Sequence, residues 1–154
     1  FETALGVLPC LTAFIPMLMD TGGNAGSQAC VSIIRGISLN EIEFRDLGRV
    51  VWKEIRVSVL CGVCLAVACF AKIVVVDMLL LKSESVTYLV AFVVCATMAV
   101  TVCLAKIVGS TLPLLAKKLG FDPAVMASPI ITTIVDFLSL LVYFAFATAM
   151  LGIG

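Results

Sequence analysis

The sequence predicts an all-α integral membrane protein, a polytopic bundle of transmembrane helices. Hydrophobic residues occupy 62% of the 154 positions and charged residues only 13%, whereas a typical globular domain has about 25% charged residues. The mean hydropathy is +1.23. The apolar residues also form four stretches that each reach the length of a spanning helix, about 20 residues. Such a chain completes its apolar core with lipid.

The charged and cysteine residues exclude several classes of function. Acidic and basic residues number 10 each, so net charge indicates no partner, and nothing in the sequence suggests nucleic-acid binding. Histidine is absent, which removes the commonest transition-metal ligand and the usual general base. The seven cysteines, including the CxxC of Cys61 and Cys64, lie in apolar runs and are interpreted as packing residues rather than redox or zinc sites. No nucleophile–base pair appears, so we expect no enzyme.

The first predicted span covers about residues 3–35 and is longer than one crossing needs. Pro9, Pro16 and the run GGNAG at 22–26 interrupt it. Such residues are tolerated in membrane helices when neighbours satisfy the freed backbone groups. Either the helix is long and kinked, or it unwinds at the glycines and exposes carbonyls as cation ligands.

Residues 36–54 form the one segment that looks soluble. Ser38 and Glu41 have the spacing of a capping box, and an apolar helical face follows. Basic residues share another face, which predicts a short amphipathic helix on a membrane surface. Because positive loops stay inside, this segment is predicted to be cytoplasmic. The two faces are made by Phe44, Leu47, Val51 and Ile55, and by Arg45, Arg49, Lys53 and Arg56.

Three more spans follow, at about residues 55–81, 88–116 and 124–151. The loop at 117–123 contains Lys117 and Lys118, which again favours the cytoplasm. Alternation then places both ends of the chain outside. The sequence therefore predicts a multi-pass protein of the cell membrane, plasma or inner, with loops 36–54 and 117–123 in the cytoplasm.

Two of the spans carry polar stripes. An aspartate near mid-membrane costs about 2.5–3.5 kcal/mol on insertion scales, so a chain keeps it where it faces a cavity, a partner or an ion. The first stripe recurs at i, i+4 and i+8 in the first span, as Asp20, Asn24 and Gln28. The second recurs in the fourth span, as Ser128, Thr132, Asp136, Ser139 and Tyr143.

The donor types of these stripes indicate a hard cation. Carboxylate, amide and hydroxyl oxygens suit Mg²⁺ and Ca²⁺, and Mg²⁺ favours a site with few carboxylates and retained waters. We therefore predict that the first and fourth spans build a cation path together. Its predicted metal ligands are Asp136, Asn24, Asp20 and Asp122, and its predicted pore-lining residues are Gly22, Gly23, Gln28, Ser128, Thr132, Thr133, Ser139 and Tyr143.

Each candidate has a structural alternative. Asp136 could pair with Lys106 or with a basic residue of a neighbouring helix, and the GxxxG of Gly22 and Gly26 is typical of close helix packing. Amides could join helices by hydrogen bonds, and threonines could bond to their own helix. Asp122-Pro123 has the pattern of a helix start, with a cation site at the cytoplasmic mouth as the other interpretation. The amides are Asn24 and Gln28, and the threonines are Thr132 and Thr133.

Two long motifs resemble a known family. The run FIPMLMDTGGNAGSQA, followed by the basic amphipathic loop, is similar to the second transmembrane helix and next loop of MgtE-type magnesium transporters. The run FDPAVMASPIITTIVDFLSLLVYF is similar to their fifth helix. The resemblance covers essentially residues 1–154 and implies a transmembrane transport domain of five helices. It also implies a homodimer with a pore at the dimer axis.

The resemblance also implies roles for particular residues. Asp136 would hold hydrated Mg²⁺ in the pore, Asn24 and the adjoining glycines would face the ion, and Asp122 would match an acidic position near the cytoplasmic mouth. The family's first helix and its cytoplasmic regulatory region, an N-terminal domain with a CBS pair, have no match in this sequence. That departure leaves open whether cytoplasmic Mg²⁺ closes the pore.

Three hypotheses of function follow. The first is a homodimeric, channel-like path for Mg²⁺. The second keeps the site but exchanges Mg²⁺ for Na⁺ or H⁺, which discontinuous helices near mid-membrane would favour. The third is a membrane assembly module without transport, in which the polar stripes only join helices.

Overall fold

Long helices account for most of the chain. The computed structural model describes residues 2–83, 85–126 and 129–151. The helices are α1 (Glu2–Ser38), α2 (Leu47–Lys72), α3 (Tyr88–Lys118) and α4 (Pro129–Leu151). A π-helical segment, Ile73–Leu80, continues α2, and short 3₁₀ turns lie at Phe44–Asp46 and Pro123–Met126. The described chain contains no strand, which confirms the predicted all-α class.

Helix α3 lies at the centre of the bundle and packs against α1, α2 and α4. It contributes the largest set of buried residues, among them Val90, Val94, Val102 and Leu114. Helix α1 also packs against α4, so these three helices share a core. Helix α2 keeps most of its large apolar side chains on the outside, including Leu60 at 69% exposure. An apolar surface of this kind is expected where a helix faces lipid.

Three helical segments of the described chain are long and apolar enough to cross a membrane: Phe44–Leu80, Tyr88–Lys118 and Pro129–Leu151. They correspond to the second, third and fourth predicted spans and confirm a membrane bundle. Helix α1 is not among them, so its crossing stays a prediction.

Helix α1 is continuous through the glycine run, with Pro9 and Pro16 inside it. Of the two sequence-based interpretations, the unbroken helix is therefore the correct one. The glycines lie where α1 contacts α3 and α4 closely, and an intact helix satisfies its backbone groups in an apolar setting.

The start of α2 differs from the prediction. Ser38 is the last residue of α1 and donates its hydroxyl to the carbonyl of Ile34 (2.9 Å). The capping box is formed instead by Glu43 and Asp46, where the Glu43 N–H donates to Asp46 Oδ2 (3.1 Å). The amphipathic segment is thus no separate helix. Residues 47–54 already belong to α2, which continues without a break into the predicted span.

The two predicted faces of that segment are present. The four basic side chains, those of Arg45, Arg49, Lys53 and Arg56, are exposed. On the other side, Phe44 and Leu47 pack against a small buried cluster that joins the end of α1, α2 and α3.

Candidate functional site

An acidic pocket lies between α1 and α4. It has a volume of about 160 Å³ and is lined by Met19, Asp20, Gly23, Asn24, Thr132 and Asp136. Asp20 and Asn24 on α1 are spaced i, i+4, as are Thr132 and Asp136 on α4. This spacing places the two side chains of each pair one turn apart on one face of the helix. The Asp136 side chain is half-buried, whereas Asp20 and Asn24 are exposed on the surface of the chain. The structure therefore brings together three of the four predicted ligands.

Gly23 allows the α4 side chains of the pocket to approach the backbone of α1. A Cβ atom at this position would lie 3.3 Å from Thr132 Cγ2 and 3.8 Å from Asp136 Oδ1. A side chain here would therefore occupy the space between the two helices. Gly23 lines the acidic pocket, and its pore-lining role stays a prediction.

Gly22 and Gly26 have a packing role. A Cβ at Gly22 would lie 2.7 Å from Thr101 Cγ2, and one at Gly26 would lie 3.2 Å from the carbonyl oxygen of Ala105. Both glycines are buried against α3 and α4. The GxxxG alternative, close helix packing, is confirmed within the chain, and Gly22 lies outside the acidic pocket.

The predicted stripe on α4 divides between two environments. Ser139 and Tyr143 are buried in the bundle, with the Tyr143 hydroxyl donating to the carbonyl of Leu11 on α1 (2.9 Å). Ser139 donates to the carbonyl of Val135 (2.6 Å). These two side chains lie away from the pocket, and their placement does not favour a pore-lining role. Ser128 lies outside the described residues.

The two threonines bond to their own helix. The hydroxyls of Thr132 and Thr133 both donate to the carbonyl of Pro129, at 3.1 and 2.8 Å. The back-bonding alternative is therefore confirmed for both. Thr132 nevertheless lines the acidic pocket, whereas Thr133 is exposed and does not line it.

A second, larger pocket of about 460 Å³ lies on the other side of Asp20 and Asn24. Gln28 lines this pocket rather than the acidic one, together with Lys106 of α3 and Cys61 and Cys64 of α2. Neither Asn24 nor Gln28 forms a side-chain hydrogen bond to another described helix. The alternative in which these amides join helices by hydrogen bonds is thus not observed among the described helices.

Lys106 pairs with Glu54, and not with Asp136. Its Nζ lies 3.6 Å from Glu54 Oε2, and both side chains are buried. Sequence reasoning missed Glu54 because this residue was placed in the soluble-looking segment. A signal was present: Val50, Glu54 and Ser58 are spaced i, i+4, i+8 and lie on the buried face of α2.

Asp122 lies in neither pocket. Its Oδ1 accepts the N–H of Ala124 (2.9 Å) at the start of the Pro123–Met126 turn, and its side chain is exposed. The helix-start interpretation is confirmed, here for a 3₁₀ turn. A role at a cytoplasmic mouth stays a prediction.

The donor set of the acidic pocket is open rather than enclosing. No group of three or more Cys, Asp or Glu side chains comes together in the part of the chain that the structure describes. The pocket instead offers two carboxylates, one amide and one hydroxyl on two helices. Such a set suits a hard cation that keeps part of its water shell.

These features define a class: a multi-pass, all-helical membrane protein with an acidic pocket between two of its helices. Comparison with known proteins gives the family. Residues 15–146 match the MgtE family, described as a divalent cation transporter, and the chain belongs to that family. The resemblance in the sequence is therefore confirmed.

The curated relatives are similar over nearly the whole chain. The magnesium transporter MgtE of Bacillus subtilis (strain 168) is 34% identical over 151 residues, which cover 98% of this chain and 32% of the relative. The protein of the same name from Thermus thermophilus is 33% identical, with the same shares. That from Enterococcus faecalis is 30% identical over 148 residues, 96% of this chain and 31% of the relative. The chain thus spans about a third of the length of these relatives.

Proposed function

We propose that this domain carries Mg²⁺ across the membrane through a path lined by α1 and α4. The observation that carries the proposal is the convergence of Asp20, Asn24 and Asp136 in one pocket between these helices. Three relatives named as magnesium transporters support the choice of ion.

The pocket, with a volume of about 160 Å³, has room for an ion that keeps several of its waters. Mg²⁺ gives up its waters reluctantly and is bound through one or two carboxylates. Asp136 therefore attracts the ion electrostatically, while Asn24 and Thr132 hydrogen-bond to its waters. Gln28 contributes in the same way from the neighbouring pocket.

The exposure of Asp20 and Asn24 supports a homodimer. A charged side chain on a lipid-facing surface is costly, so intramembrane acids face a cavity, a water-filled path or another protein surface. A second copy that covers the α1–α4 face would enclose the pocket and double its aspartates by symmetry. The basic loop 36–54 and the loop 117–123 lie in the cytoplasm in this arrangement, because positive loops stay inside.

The test is Mg²⁺ uptake into proteoliposomes by the parent and by Asp136→Asn. Removing a charge that acts in the ion path should lower uptake at least tenfold, because binding weakens by about 1.4 kcal/mol or more. Glu41→Gln is the matched control, since it removes one acidic charge from an exposed position far along the chain from both pockets. Equal uptake by Asp136→Asn and the parent would refute the proposed site.

Two alternatives give different results in the same experiment. Coupled exchange would make uptake depend on an imposed Na⁺ or pH gradient, although the discontinuous helix that motivates it is not seen in α1. A non-transporting assembly module would show no uptake. In that case Mg²⁺ would also leave the melting temperature unchanged, whereas a bound ion raises it by linkage.

A further inference from the structure

The Glu54–Lys106 ion pair is buried where α2 meets α3. The two side chains are 8% and 11% exposed, and Lys106 Nζ lies 3.6 Å from Glu54 Oε2. Taking two charges out of water is expensive, and apolar residues of similar volume often stabilise a fold equally well. Stability alone therefore does not account for this pair.

The position of Lys106 relates the pair to the aspartates. Lys106 lines the larger pocket together with Asp20 and Asn24, and these two residues also line the acidic pocket with Asp136. Asp20 and Asn24 thus form a wall common to both pockets. Among the described residues, Lys106 is the only basic residue that lines either one.

The two aspartates have no paired counter-charge in the part of the chain that the structure describes. None of the ion pairs among the described residues involves Asp20 or Asp136. If Glu54 did not neutralise Lys106, the ammonium group would be available as a counter-ion for Asp20, which lines the same pocket. An unpaired positive charge there would also repel an approaching divalent cation.

We propose that Glu54 is a positioning residue for the cation site: by holding and neutralising Lys106, it leaves the carboxylates of Asp20 and Asp136 available to a divalent cation. This inference rests on the proposed function and adds a residue on α2 to a site otherwise built from α1 and α4.

The inference predicts an asymmetric effect of removing each partner. Glu54→Gln leaves the charge of Lys106 unpaired, so the Mg²⁺ concentration for half-saturation should rise about tenfold, equivalent to about 1.4 kcal/mol. Lys106→Met removes the repelling charge and should not raise it. In the double variant, Glu54→Gln with Lys106→Met, the half-saturating concentration should return close to that of the parent.

The experiment measures half-saturation in two ways on the purified full chain. One is the Mg²⁺ dependence of the melting temperature in detergent, and the other is the KM of Mg²⁺ uptake in proteoliposomes. A purely structural pair would lower the melting temperature without Mg²⁺ and reduce the maximal rate, with the half-saturating concentration unchanged. The asymmetry in half-saturation therefore separates the two roles.

Two results would overturn the inference: an unchanged half-saturating concentration in Glu54→Gln, or a double variant as impaired as that single variant. If Glu54→Gln does not fold, a rise in the half-saturating concentration of Lys106→Met would still overturn the inference. The proposed function fails separately, through absent uptake by the parent or normal uptake by Asp136→Asn. The binding measurement does not require transport, so it tests the inference in either case.

Discussion

A close approach of the backbones of α1 and α3 predicts a large effect for a small substitution, Gly109→Ala. A Cβ built on Gly109 of α3 would overlap the carbonyl oxygen of Gly26 on α1, and it would lie 2.9 Å from the carbonyl carbon. Carbon atoms pack at about 3.5–4.0 Å. Because the obstacle is backbone and not a flexible side chain, the two helices must separate.

The magnitude follows from two opposing terms. Overpacking a well-packed interior costs about 1–3 kcal/mol, and a backbone obstacle places this site near the upper end. Alanine favours a helix over glycine by about 1 kcal/mol. The net loss for Gly109→Ala is therefore about 2 kcal/mol. Uptake should fall as well, since α1 would shift and move Asp20 and Asn24 relative to Asp136.

The assay is thermal unfolding of the purified protein in detergent, with Gly48→Ala as the matched control. Gly48 also lies in a helix, but a Cβ there would meet no atom within 4 Å. In the control, alanine brings only its higher helix propensity, so Gly48→Ala should melt at or above the temperature of the parent. A Gly109→Ala variant as stable as Gly48→Ala would refute the claim that α1 and α3 touch at this point.

Three further substitutions test the interior of the bundle by the same unfolding assay. Tyr143→Phe removes the buried hydroxyl bonded to Leu11 and should cost about 1 kcal/mol; unchanged stability would argue against that bond. Thr101→Val replaces a buried hydroxyl that has no hydrogen-bond partner in the described chain. It should be neutral or stabilise by about 1 kcal/mol, and a clear loss would indicate a partner. Val135→Ala leaves a cavity beside Gly22 and should cost about 2 kcal/mol; no loss would indicate that α4 closes the gap.

Local patterns in the sequence predicted the parts of the fold that depend on neighbours along the chain. The long apolar stretches became α2, α3 and α4, and Asp122-Pro123 starts a helical turn as its residue types indicate. The basic face that contains Arg45 and Arg49 is exposed. Each of these features follows from hydropathy, charge or capping within a few residues.

The features that the sequence left open depend on contacts between helices. Glycines permit both unwinding of a helix and close packing of helices. Gly22 and Gly26 serve packing because α3 and α4 lie close to them in the bundle. The partner of Lys106 is similarly undetermined, since position along the chain does not show whether Asp136 or Glu54 packs beside it in the bundle. Spacing placed Ser139 and Tyr143 on one stripe with Asp136, but their burial reflects how α4 lies against α1 and α3.

The packing glycines and the acidic pocket are parts of one arrangement. Gly26 meets Gly109 and Ala105 on α3, and Gly22 meets α3 and α4, so the middle of α1 lies close to both helices. Gly23, which lies between them in the sequence, is thereby held against the α4 turn that contains Thr132 and Asp136. Asn24, one position further along α1, and Asp20, three positions before Gly23, then line the same pocket as Asp136. Close helix packing thus puts two acidic side chains in one pocket, where an incoming cation can balance their charge.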